Sequence, residues 1–321
     1  MDRQRALHHK ARNLLQSLLL IAGMTVLLAL SSLLLFGAEY WWAVVIGLIL
    51  ALLLLPNASP YWLLRLYRAQ PIHPAQLPRH WSILHELSRR ADLAVTPELF
   101  WLPSRTLNAF AVGSRSHSAI AITDGLLQVL SDREIAGVLA HEISHIRNHD
   151  LRIMTLADLI TRLTHVLSVM ALFTILLSLP FILTGQVVVS VSGLLVLIIA
   201  PSINAILQLG LSSIREFDAD LDAAGLTQDP AGLASALSKI DPQHIHWWQR
   251  VVMPGYRDRQ PSLLRSHPDT RERIERLLRL QPQQPAAGSA ILRNEFERNE
   301  NPYPHIVIRK PGRGFFSGTW R

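Results

Sequence analysis

Long uncharged runs alternate with polar segments along this chain, and that alternation predicts its architecture. Leu14 to Phe36 carries no charge, and after Gly37-Ala38-Glu39 a second apolar run follows from Tyr40 to Leu64. Beyond His165 a further uncharged stretch extends from Val166 to Ile214, with Thr184-Gly185-Gln186 near its middle. It is long enough for two spans of about 20 residues each. The pattern predicts four transmembrane helices in two hairpins, 14–64 and 164–211. The first run is too long, and too closely followed by the second, to be a cleaved signal peptide.

The segment between the hairpins, 65–163, has a different pattern. Trp81, Leu84 and Leu87 recur at helical spacing within Pro78 to Leu93. Three strand-like runs follow, Glu98–Leu102, Asn108–Val112 and Ser118–Ile122, the last two separated by Gly113 and a polar turn. Ser131 and Glu134 form an S-x-x-E capping box that opens a helix. After Gly137 no Gly or Pro interrupts the chain until Pro180, so this helix is expected to run almost unbroken into the third span. A second polar segment, 212–280, follows the second hairpin, and the Gln/Pro/Asn/Gly-rich stretch 281–321 reads as a disordered tail. The expected fold is thus an α+β membrane protein, mostly helical with a small antiparallel sheet.

Composition sharpens this picture in three ways. The 321-residue chain is 49% hydrophobic and only 17% charged, as expected for a membrane protein. Its net charge of +7 is spread along the chain rather than striped, which fits an anionic membrane face better than nucleic acid. There are 0 cysteines, so any metal must be held by His, Asp or Glu. Arginine and lysine also orient the hairpins. They crowd the arm 1–13 and the segments after the second and fourth runs, and are missing from the two short connections. Both termini and both polar segments are therefore expected on the cytoplasmic side.

The candidate chemistry lies in Leu139 to Asp150, "LAHEISHIRNHD". His141 and His145 are four apart and share a helix face, a bite that suits tetrahedral zinc. Glu142 points aside, where it can take a proton from a metal-activated water. Two histidines do not complete a catalytic site. His149 lies about 12 Å beyond His141 along an unbroken helix, at 1.5 Å per residue, so it reads as a supporting or solvated residue. The third ligand is sought in "SSIREFDADLDAAG", where Glu216 and Asp220 share a face. One carboxylate can bind the metal while the other accepts a hydrogen bond from a ligand histidine.

With these pieces together, the chain resembles the membrane zinc metallopeptidases typified by the HtpX heat-shock protease, with CAAX prenyl proteases more distant. The matching stretches are "NAFAVG" from Asn108, "HEISHIRNHD" from His141, "REFDAD" from Arg215 and "SHPDTRERI" from Ser266, in that order. The resemblance implies one zinc per chain with His141, His145 and Glu216 as ligands, Glu142 as general base and Asp220 orienting a histidine. It also implies that His267 and Arg273 approach the substrate carbonyl, and that the edge strand Asn108, Ala109, Phe110 and Ala111 pairs with an extended substrate. The implied fold of the polar segments is a cytoplasmic zincin-like domain. The implied activity is endoproteolysis of misfolded or damaged membrane proteins at the cell inner membrane. Polypeptides and the lipid bilayer are the partners, and oligomeric state is left open. Three rival readings fit less well: intramembrane cleavage would want the motif inside an apolar span, but Arg147, Asp150 and Arg152 follow it closely. A CAAX-type chamber needs more than four spans, and a catalytically silent scaffold or sensor has no use for a complete catalytic set. The Trp247-Trp248 stretch is rich in aromatics and reads equally as an interfacial anchor, a substrate-side loop or core.

Overall fold

The computed structural model describes residues 3–39, 42, 46–47, 61–185, 190–240 and 270–280. Three of its helices are long and apolar enough to cross a membrane. These are α1 (Arg3–Phe36), α6 (Asp150–Leu183) and α7 (Val191–Thr227). Their large apolar side chains face outward in numbers a water-soluble surface does not tolerate, among them Leu19, Phe173, Leu176 and Ile206. Their inner faces meet through Met24 and Leu28 of α1, Ile160 and Leu167 of α6, and Leu211 of α7. Asn204 of α7 adds a buried hydrogen bond to Thr164 of α6 at 2.7 Å, a polar tie between spans. The expected second span lies mostly outside the described residues, as do the Trp247-Trp248 stretch, His267 and the tail 281–321.

The polar segments fold around one core of helices and a four-stranded sheet. After α2 (Tyr61–Leu66), the strands are β1 (Gln70–Pro71), β2 (Glu98–Leu102), β3 (Ala109–Gly113) and β4 (Ser118–Thr123). Their order is β1-β2-β4-β3. The sheet is mixed, not antiparallel as expected. β3 folds back on β4 through the turn at Gly113, and β2 pairs with the other edge of β4 in parallel. The hairpin occupies one edge of β4 and leaves only the other for β2. The central strand β4 is buried throughout, whereas β3 stands at an edge. Helices α3 (Pro78–Arg90) and α4 (Asp124–Val129) flank the sheet.

Helix α5 (Asp132–Arg147) runs through the core and carries His141, Glu142 and His145. The capping box at its start is complete: Ser131 accepts from Glu134 N–H, and Glu134 accepts from Ser131 N–H. Glu134 also accepts from Lys239 and Ser235 of α8 (Pro230–Ile240), so one carboxylate both caps α5 and ties it to a neighbour. α9 (Thr270–Arg279) completes the core through Leu277.

The expected continuous helix from Ser131 into the third span is broken. α5 stops at Arg147, and His149 takes a left-handed conformation at φ 60, ψ 23. α6 begins at Asp150 on a new axis. No glycine marks the break, but Asn and His tolerate left-handed backbone better than most residues, and Asp favours the first turn of a helix. By contrast α7 continues without interruption from span to core, carrying Arg215 to Asp222 on its last turns.

Gly137 sets the spacing of α5 and α8. A Cβ there would meet Leu233 Cα and N at 2.9 Å. Backbone cannot yield as a side chain can, so Gly137→Ala is expected to destabilise the protein by about 1–3 kcal/mol through overpacking. Thermal unfolding in detergent checks this; an unchanged midpoint would show that the two helices separate freely.

Candidate active site

α5 presents His141 and His145 on one face, and the end of α7 presents Glu216 opposite them. The three ligand atoms lie within 4.8 Å of one another. The two histidine Nε2 atoms are 3.1 Å apart. His141 Nε2 is 3.3 Å from Glu216 Oε2, and His145 Nε2 is 3.7 Å from Glu216 Oε1. Tetrahedral zinc with bonds of about 2.0–2.1 Å requires ligand atoms about 3.3 Å apart. The Nε2 pair and the His141–Glu216 separation lie near that edge, and two imidazoles with a carboxylate are donors that zinc takes.

The outward nitrogens of both histidines meet carboxylates. His141 Nδ1 stands 3.1 Å from Asp220 Oδ1, and His145 Nδ1 is hydrogen-bonded to Asp150 Oδ2 at 2.9 Å. An ionised carboxylate only accepts, so His145 Nδ1 donates to Asp150, while His141 Nδ1 lies close to Asp220 without hydrogen-bond geometry, and both Nε2 atoms face the shared centre. Burial opposes a positive charge on His141, but Asp220 and Glu216 outweigh it and raise its pKa to about 10. His145 is raised in the same way, with burial opposing and Asp150 prevailing.

Glu142 sits beside the pair. Its Oε2 accepts from Ala111 N–H of the edge strand β3 at 2.8 Å, joining strand and carboxylate directly. Burial raises its pKa above the usual carboxylate value, against the opposing pull of the two histidines. Asn108 lies just before β3, its backbone held by Thr123 Oγ1 at 3.0 Å. Arg273 reaches in from α9, buried at 3% exposure. Its guanidinium grips Asp220 with two hydrogen bonds of 2.7 Å and lies 2.8 Å from Glu216 Oε2. His149 is exposed and outside the cluster.

Spacing along an unbroken helix sets Asp150 aside together with His149, and it gives Arg215 no role; the structure brings both to the site. Asp150 is buried, and Arg215 Nη1 lies 3.4 Å from its Oδ1. On an unbroken helix Asp150 would point about 140° away from His145, at about 100° per residue. The one available signal was Asn148-His149-Asp150 itself, a pair tolerant of left-handed backbone followed by a residue that starts helices. Ser144 and Asn148 of α5 also hydrogen-bond Asp222 of α7 at 3.2 and 2.9 Å, fastening the two helices on the same side.

Removing Arg273 would leave Asp220 and Glu216 without that buried cation. Arg273→Leu is expected to cost about 3–5 kcal/mol, the range for breaking a buried ion pair from one side. Chemical unfolding of the metal-free protein measures it, and a loss below about 1 kcal/mol would contradict the pairing.

Residues 74–281 match the model of peptidase family M48. A protease HtpX homolog of Acaryochloris marina is 38% identical over 237 residues, covering 68% of this chain and 77% of its own length. One from Paraburkholderia phytofirmans is 32% identical over 286 residues, covering 84% of this chain and 97% of its own length. Among solved structures, that of S. mikatae Ste24p aligns with a TM-score of 0.42 at 21% identity, covering 84% of this chain and 66% of that one.

Proposed function

The chain belongs to peptidase family M48 and is a membrane metalloprotease, and on that footing we propose a zinc endopeptidase with His141, His145 and Glu216 as ligands of one zinc per chain. The observation that carries this reading is the convergence of three donor atoms within 4.8 Å, with a fourth, basic carboxylate beside them. Zinc held there supplies a Lewis acid that polarises a carbonyl and makes water acidic near neutral pH.

The chain's own groups supply the rest. Glu142 takes a proton from the attacking water at its carboxylate and passes it to the leaving amine. Its raised pKa brings it nearer the pH at which such transfer is efficient. Asp220 fixes the tautomer of His141, and Arg273 holds Asp220 and Glu216 in place. By resemblance, Arg273 and His267 also stabilise the oxyanion of the tetrahedral intermediate. Asn108, Ala109, Phe110 and Ala111 receive an extended substrate by strand addition, for which the edge position of β3 is suited.

The organisation that accompanies this function has four spans, in hairpins 14–64 and 164–211. Both termini and the catalytic segments 65–163 and 212–280 face the cytoplasm. Substrates are misfolded or damaged membrane proteins of the cell inner membrane, cut in their cytoplasmic parts.

Two experiments test this. Casein cleavage by detergent-purified protein is expected to require zinc and to vanish with a chelator. Glu142→Gln should lower it by about 10²–10⁴, the usual worth of acid–base catalysis, while still binding one zinc. Cleavage by the variant at the wild-type rate, or a wild type that binds no zinc, would refute the assignment. The orientation is checked by labelling single cysteines, which the cysteine-free chain permits. Ser116→Cys should react with an impermeant reagent only from the cytoplasmic side and Thr184→Cys only from the other; the reverse pattern would invert the topology.

A further inference from the structure

The proposed zinc site contains a second carboxylate–histidine couple, and it is built by the helix break. The first couple is His141 with Asp220, whose acid is backed by Arg273. The second is His145 with Asp150, whose acid faces Arg215. The two arrangements are alike in kind: a ligand histidine, a buried carboxylate on its Nδ1, and a buried arginine behind the carboxylate. They differ in origin. Asp220 lies on α7 one turn beyond Glu216, where helical spacing alone aims it at the site. Asp150 reaches His145 only because His149 turns the chain through a left-handed residue.

We propose that Asp150, the first residue of the helix that leads into the third span, is the positioning residue for His145, and that with Arg215 it anchors this helix to the metal site. This rests on the zinc reading above. Three observations support it. The carboxylate is 1% exposed, so it is placed there by the fold and not by solvent. Its two oxygens are divided, Oδ2 to His145 and Oδ1 to Arg215. His149 stands at φ 60, a helix-ending conformation that histidine tolerates, and the turn it makes brings Asp150 back against His145. Arg215 immediately precedes Glu216, so the same carboxylate links a histidine ligand on α5 to the backbone that carries the third ligand. Outer carboxylates of this kind orient the ring and raise its basicity, and their loss typically costs 10–100-fold in metal affinity.

The test is zinc affinity of the full-length, metal-stripped protein in detergent, read by competition with a fluorescent chelator. Asp150→Ala is expected to bind 10–100-fold more weakly than wild type, and Asp150→Asn, which keeps an acceptor without the charge, to fall between. Asp150→Ala strands a buried arginine, so Asp150→Ala/Arg215→Leu serves as the variant without an unpaired charge. It should elute as wild type does, show the same loss of affinity, and give an altered visible spectrum when loaded with cobalt. Wild-type affinity and cobalt spectrum in the double variant would overturn the proposal, because the effect of the single change would then belong to the stranded arginine. A wild type that fails to bind zinc would instead overturn the zinc reading itself, and this inference with it.

Discussion

Everything at the centre of this protein depends on the neutralisation of charges that have been taken out of water. Asp150, Glu216, Asp220, Arg215 and Arg273 are all buried within one cluster around His141 and His145. A single buried ion costs several kcal/mol unless partners replace its hydration. Partners come here from four different helices, so the helices must meet in one arrangement. α5 provides the histidines, α7 the two acids and Arg215, α9 Arg273, and the first residue of α6 the remaining carboxylate. Misplacing any one of them leaves a buried charge unpaired. Such a cluster contributes specificity of arrangement more than net stability.

The same arrangement places chemistry against the membrane. α6 and α7 are both candidate spans and both carry site residues, Asp150 at the start of one and Arg215 to Asp222 near the end of the other. Asn13 on the N-terminal part of α1 donates to Asp218 on the same stretch of α7. The face formed by His141, His145 and Glu216 is thus continuous with the packing of the candidate spans. The edge strand β3 is joined through Ala111 N–H to Glu142 and so lies directly beside this cluster.

Much of this was legible in the residues. The runs at α1, α6 and α7 announce themselves by length and lack of charge. Strands β2, β3 and β4 fall within a residue of the expected limits, because alternation and turn residues are local signals. The capping box at Ser131 and Glu134 forms as read, since both partners lie within one turn. What was not legible depended on distant partners. The parallel pairing of β2 with β4 follows from which edge the hairpin leaves open. The break at His149 has no glycine to signal it, and it brings Asp150 against His145 and Arg215, partners that lie on α5 and α7.

By itself, then, the sequence determined that long apolar helices carry this chain into a membrane, that His141 and His145 share one helical face, and that Glu216 and Asp220 share another. Those are properties of helical spacing and side-chain chemistry, and they need no partner. Only the tertiary structure decided that Glu216 faces the paired Nε2 atoms while Asp220 faces a Nδ1, that Arg273 closes over both acids, and that Asp150 returns to His145. These choices belong to the packing of α5, α7, α9 and the start of α6. A buried charge selects its partner by distance in space, which spacing along the chain does not encode.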